Sequence, residues 1–135
     1  GAPSVAQNII SAQTPFELKN NTIIPVEVFH NTLSVMGFRI DNFCYLTDVK
    51  TIAEEEQQKL KDLDVLVLSA LRIEPHPNHL NLEEALAMIE KIQPQKAYLT
   101  HISHLMGFHD EVSKVLPENV FLAYDTLTVT SNLVL

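Results

Sequence analysis

One cysteine in 135 residues, Cys44, leaves no partner for an intrachain disulfide and too few thiolates for a zinc finger. It lies in the apolar run Phe43-Cys-Tyr-Leu46 and reads as a small buried hydrophobe. Basic residues are also scarce, with nine Lys and Arg against 17 Asp and Glu, for a net charge of −8. That balance argues against a groove tracking a phosphate backbone, and so against a nucleic-acid partner. It suits divalent cations wherever Asp and His cluster. No apolar run approaches the ~20 residues of a membrane helix, and no basic stretch leads into an apolar core as in a signal peptide. A cytoplasmic protein without a membrane partner is therefore expected. The first residue is Gly1 rather than methionine, as expected of a processed or cut chain. What is present is ordinary for one globular domain: 46% hydrophobic and 19% charged residues, enough for a core and too apolar for disorder.

The order of elements can be read from periodicity. Residues 1–13 are small, polar and aperiodic, a lead-in segment. Phe16-Glu-Leu18 predicts a short strand entering an Asn-rich turn. Residues 22–29 are β-branched and predict a strand, which Pro25 demotes to an edge or a bulge. Residues 36–40 and 43–46 predict a hairpin across Asp41-Asn42. Thr51-Ile-Ala-Glu54 has the form of a capping box and predicts a helix to about Lys61. Asp64-Val-Leu-Val-Leu-Ser-Ala70 reads as a strand buried on both faces. A loop over 71–79 precedes a second cap signal, Asn81-Leu-Glu-Glu84, whose helix stops at Gln93-Pro94. A strand over 97–100, a short helix over 109–115, and strands over 120–123 and 127–130 around Asp125-Thr126 complete the chain. The pattern is α/β: one mixed sheet with helices on a single face.

Histidines concentrate in Tyr98-Leu-Thr-His-Ile-Ser-His-Leu-Met-Gly-Phe-His109, where a short apolar strand opens into a loop. His30, Asp48, His79 and His101 each stand at a strand exit or in a loop joining strand to helix. Such exits gather on one edge of an α/β sheet, where ligands bind. Imidazole and carboxylate together suit zinc, manganese or iron. Singly, each has an ordinary alternative: Asp48 and His79 as helix caps, His30 as a turn residue.

Leu46-Thr-Asp48, Ser69-Ala-Leu-Arg72, His76-Pro-Asn-His79, Leu99-Thr-His-Ile-Ser-His104 and Leu122-Ala-Tyr-Asp125 together resemble the metallo-β-lactamase superfamily. The phosphodiesterase branch, with cyclic-phosphate phosphodiesterases and tRNA 3′-end-processing nucleases, is the most similar. The resemblance implies that residues 14–135 are the C-terminal lobe of an αββα sandwich. By the same resemblance His30, Asp48 and His101 are metal ligands, with Asp48 bridging two ions. His79 resembles the histidine that protonates the leaving oxygen, and Arg72, His76 and His104 are placed to line the pocket. A histidine at a helix N-terminus is biased toward its neutral form, so His79 needs a nearby anion, such as Glu74 or a substrate phosphate, for that task.

Two departures stand out. The family's His-X-His-X-Asp-His cluster, which supplies the other ligands, is absent, and no histidine precedes His30. Thr126 stands where the family often has glycine, making a positive-φ turn costlier. The expectation is a metal-dependent hydrolase of small phosphodiesters, using two zinc or manganese ions when complete, but inactive or nearly so as this chain alone, which need hold no metal. A metallo-hydrolase of another ester, thioester or lactone is the competing enzyme reading. A metal-free interaction module pairing through an exposed sheet face is the alternative of another class. A homodimer, or pairing with the missing N-terminal half, is expected.

Overall fold

A computed structural model describes residues 4–130. Seven strands, β1 (Phe16–Leu18), β2 (Asn21–His30), β3 (Leu33–Ile40), β4 (Phe43–Leu46), β5 (Val65–Ser69), β6 (Lys96–Thr100) and β7 (Val120–Leu122), form one sheet in sequence order. The first four are antiparallel neighbours, while β4 to β7 run parallel, so the sheet is mixed. Parallel neighbours need crossovers, and these carry the helices: α1 (Glu54–Gln57) with a 3-10 turn (Gln58–Leu60), α2 (Leu82–Ile92) and α3 (His109–Ser113).

Register sorts the side chains into two faces, because residues directly opposite each other point the same way. Leu46, Leu68, Leu99 and Leu122 form one row, and Cys44, Leu66, Ala97 and Val120 the next. Both rows are buried beneath Leu82, Leu86, Met88 and Ile92, which pack against them. On the other face Phe38, Tyr45, Val67, Tyr98 and Phe121 form a row across five strands. Tyr45 is 45% exposed there and Phe121 40%. This face is apolar, and none of the row belongs to the helix-covered core.

Pro25 sits inside β2, opposite Phe38, and not in an edge strand. It is tolerated because β1 ends opposite Ile23, which leaves residues 24–30 of β2 without a strand on that side. The open side is closed group by group. Pro25 has no N–H to satisfy, and its carbonyl accepts from Lys59 Nζ at 3.0 Å. The Glu27 N–H donates to Glu56 Oε2 at 2.8 Å and the Phe29 N–H to the Thr51 carbonyl at 2.9 Å. Every outward donor of this edge is thereby paired. Lys59 also donates to the Ala12 carbonyl at 2.9 Å, and Ala12, within the lead-in, is buried.

Two expected elements differ. The capping box at Thr51 does not form, because Thr51 bridges to Phe29; Ala53 stands at the cap without a side-chain bond, and α1 has only four residues before its 3-10 turn. Residues 127–130 form no strand, although their burial alternates as in one. The turn before them is as costly as expected, with Thr126 at φ 72°.

Candidate metal centre

β2, β4, β5 and β6 all end at one edge of the sheet, and each exit delivers a polar residue there. His30 is the last residue of β2, paired with Leu33 across a two-residue turn in which Asn31 has φ 58°. Asp48 follows β4 and His101 follows β6, with φ of 56° and 59°. The same left-handed angles occur at turns elsewhere, at Lys19, Asp41, Asp62, Gln93 and Thr126, so here they mark the sharp bends by which the chain leaves the sheet. His79 lies two residues before Asn81, the cap of α2, whose start is fixed by a complete capping box. The Asn81 side chain accepts from the Glu84 N–H at 2.9 Å, and the Glu84 carboxylate accepts from the Asn81 N–H at 3.0 Å.

The imidazoles converge. His30 Nε2 and His79 Nε2 are 3.0 Å apart. Asp48 Oδ1 lies 3.6 Å from His101 Nε2 and 3.9 Å from His79 Nδ1. The His79 ring is centred 4.4 Å from His30, 5.0 Å from His101 and 5.1 Å from His76. His79 is the ring that meets the other three, and among the described residues its buried Nδ1 has no hydrogen-bond partner. Burial, then the neighbouring imidazoles of His30, His101 and His76, pull the His79 pKa below its ordinary value, with Asp48 opposing them. His79 is therefore a neutral ring, with one nitrogen meeting His30 and the other facing a carboxylate it does not reach.

Nitrogen lone pairs and a carboxylate facing a shared space, with an orphaned buried nitrogen among them, fit a cation. One atom from each of His30, Asp48 and His79 lies within 4.8 Å of the others. The geometric trio thus contains His79, where the family resemblance names His101; His101 adjoins it through Asp48.

The pocket residues implied by the resemblance are placed unevenly. His76 stands beside His79, and its Nδ1 accepts from the Asn78 N–H at 3.2 Å. The Arg72 guanidinium turns back on its own loop, donating to the carbonyls of Glu74 at 3.2 Å and Pro75 at 2.7 Å. His104 is exposed at the start of a one-turn 3-10 helix (His104–Met106), apart from the ring cluster. A groove of about 860 Å³ between α2 and residues 117–120 shares no residue with the cluster.

Two supporting residues, Ser69 and Lys50, are given no role by the sequence reading. Buried Ser69 offers its Oγ to the Val49 N–H at 3.2 Å, holding the Asp48 loop to β5. Lys50 Nζ donates to Glu84 Oε1 at 2.7 Å and Oε2 at 2.9 Å, and to the His79 carbonyl at 3.4 Å. Those partners are 29 and 34 residues away, so no local pattern announces them.

A solved diphosphatase of the PhnP family superposes on this chain with a TM-score of 0.85 at 37% identity, over 88% of this chain and 47% of its own. Human tRNase Z, short form, shares the fold with a TM-score of 0.66 at 17% identity, over 85% of this chain and 45% of its own. An octanoyltransferase of Porphyromonas gingivalis (strain ATCC BAA-308 / W83) is 32% identical over 128 residues, which are 94% of this chain and 26% of that protein. The chain thus spans about half the length of the diphosphatase and about a quarter of the octanoyltransferase. The sequence pattern of the β-lactamase superfamily domain matches residues 2–102. With most of its length matched by that pattern, the chain belongs to the β-lactamase superfamily.

Proposed function

We propose that this chain is part of a metal-dependent hydrolase acting on phosphodiesters in the cytoplasm, carried by the convergence of His30, Asp48, His79 and His101 at one sheet edge. The diphosphatase among its structural neighbours, 37% identical, supports a phosphoryl substrate over other classes. Bound divalent ions, two zinc or manganese in the complete site, supply Lewis acidity that makes water a nucleophile near neutral pH. His30, Asp48 and His101 hold them, the carboxylate standing between the two imidazoles. His79 donates a proton to the leaving oxygen, for which it must carry one taken from solvent and held on the ring by the negative charge of the bound phosphate. His76 lines the entrance, and Arg72 and His104 bind substrate only after leaving the positions described above.

A second role for His79 is favoured by its low pKa and its place in the trio: a neutral imidazole ligand in place of a proton donor. A second substrate class, a carboxylic ester or thioester, is favoured by the octanoyltransferase relative. On the metal-free module reading, the cluster would bind no ion.

The His-X-His-X-Asp-His half of the site is absent from the sequence, which leaves each ion at most two protein ligands, His30 and Asp48 or Asp48 and His101, where a catalytic zinc normally takes three. The chain alone should therefore turn over bis(p-nitrophenyl) phosphate and p-nitrophenyl octanoate at no more than the metal-ion background. A protein joining it to such a half should cleave the phosphodiester and lose the activity with Asp48→Ala. Robust turnover by the 135-residue chain, abolished by Asp48→Ala, would overturn the incomplete-site proposal; octanoate cleavage alone would replace the substrate class. In the joined protein, His79→Ala should slow poor leaving groups ~10²–10⁴-fold while sparing activated aryl ones. Metal loss with equal slowing of both would make His79 a ligand.

A further inference from the structure

We propose that Lys50 is the positioning residue of this centre, tying the strands and loops that carry His30, Asp48 and His79 into one unit. The inference rests on the metal-site reading above. Lys50 lies two residues after Asp48, and its backbone N–H donates at 2.7 Å to the carbonyl of Phe29, the neighbour of His30. Its ammonium reaches the His79 carbonyl at 3.4 Å and both oxygens of Glu84 at 2.7 and 2.9 Å. Glu84 is the carboxylate that completes the α2 cap at Asn81, two residues beyond His79. One residue thus touches, through main chain or side chain, the backbone beside three of the four clustered groups.

The His79 ring has particular need of such support. Among the described residues its Nδ1 has no hydrogen-bond partner, so no carboxylate or carbonyl stands behind the ring, as one usually does for a metal-binding histidine, and only the Nε2 contact with His30 orients it directly. Ring direction then depends also on the backbone, and Lys50 holds the His79 peptide at its carbonyl while the Leu80 N–H donates to the Val49 carbonyl at 2.9 Å. Asp48, at φ 56°, likewise keeps its conformation because the residues after it are tethered, Val49 to Ser69 and Lys50 and Thr51 to Phe29. The plain alternative is a half-exposed ion pair of Lys50 and Glu84, with side chains 21% and 40% exposed, of the kind that adds little to stability. The two readings differ in what they leave unmoved: an ion pair does not set imidazole geometry or metal affinity.

The test compares Lys50→Met with Lys91→Met, an exposed lysine in the last turn of α2, in the 135-residue chain. Zn²⁺ affinity is measured by chelator competition, and imidazole ¹⁵N resonances are read in the metal-free protein. Lys50→Met should lower Zn²⁺ affinity about 10–100-fold, the usual cost of losing an outer support. It should also shift the His79 ring resonances while leaving those of His109 in place, with a thermal midpoint close to that of Lys91→Met. Glu84→Gln keeps an acceptor for the Asn81 N–H and should produce the same changes at smaller size. Unchanged affinity with unchanged His79 resonances would overturn the proposal. So would an affinity loss accompanied by an equal fall in thermal stability and by shifts at His109, which would make Lys50 a general scaffold residue. Failure of the unmodified chain to bind Zn²⁺ is the metal-free outcome of an incomplete site, and the His79 resonances then decide the role of Lys50; affinity indifferent to Asp48→Ala counts against the metal site itself. Should Lys50→Met not fold, Glu84→Gln decides by the same two readouts.

Discussion

Burial sets opposite protonation chemistry on two side chains of this protein. At His79 it removes the proton and leaves a neutral ring facing a carboxylate. At Cys44 it keeps the proton on: burial pushes the thiol up to about 12, against a smaller opposing pull from Arg39, its register partner on β3. A thiol that does not ionise is not a nucleophile. Cys44 should therefore resist a disulfide reagent at pH 8 in the native chain and react stoichiometrically once urea unfolds it. The linkage has a definite sign, since a thiol whose pKa is raised on folding stabilises the folded state only while the unfolded thiol keeps its proton. Stability is intact below about pH 9 and is lost as the pH climbs toward 12, by about 3 kcal/mol at pH 11. Urea melts at pH 8 and pH 10.5 should show a smaller pH-dependent loss for Cys44→Ala than for the unmodified chain. Equal losses would mean that Cys44 is not the group responsible.

Among the elements, α2 carries more of the site than its distance from the histidines suggests. Asn81 is 4% exposed, accepts from the Glu84 N–H, and donates through Nδ2 to the Ile73 carbonyl at 3.0 Å, so it closes the loop that presents His79. Asn81→Ala should cost about 1–2 kcal/mol of stability in urea melts. It should also loosen His79, seen as a weakened contact between the His30 and His79 rings in nuclear Overhauser spectra; a loss under 0.3 kcal/mol would remove the cap from that role. This helix was legible in the sequence because cap, apolar spacing and stop all lie within a dozen residues. β5 and β6 were legible as continuous apolar runs. α1 was overread because the Thr51 signal is local while its backbone partner, Phe29, lies on another strand. The alternation of residues 127–130 is a strand pattern, but within the described residues no strand edge pairs with it. His30, Asp48, His79 and His101 could be nominated from their positions at element ends. Lys50 and Ser69 could not, since a lysine or serine carries no mark of a tertiary partner.

At the scale of the whole molecule, the two faces of the sheet are unequally served. Helices cover Leu46, Leu68, Leu99 and Leu122, while Phe38, Tyr45, Val67, Tyr98 and Phe121 present an apolar row without a helix over it. The Tyr98 and Phe121 rings stack 5.3 Å apart, so part of that row is flat and self-supporting. Contiguous apolar patches beyond a few hundred Å² are uncommon on monomers. We propose that this face is covered, by the other half of a sandwich where one is joined to it and otherwise by a second copy. A two-fold pair is the simplest cover, because one patch then serves both protomers, and an interface of about 800 Å² per partner is an ordinary size for a stable complex. Charge does not forbid it, since the row itself carries no ionised group, although the net −8 of each chain will favour the pair at higher salt. Multi-angle light scattering at micromolar concentration should give about twice the 15.2 kDa of the chain. Phe121→Lys, at the exposed end of the row, should shift the population toward the single chain without unfolding it. A monodisperse 15.2 kDa species that binds no hydrophobic dye would show that the face needs no partner, and the pairing proposal would fall with it.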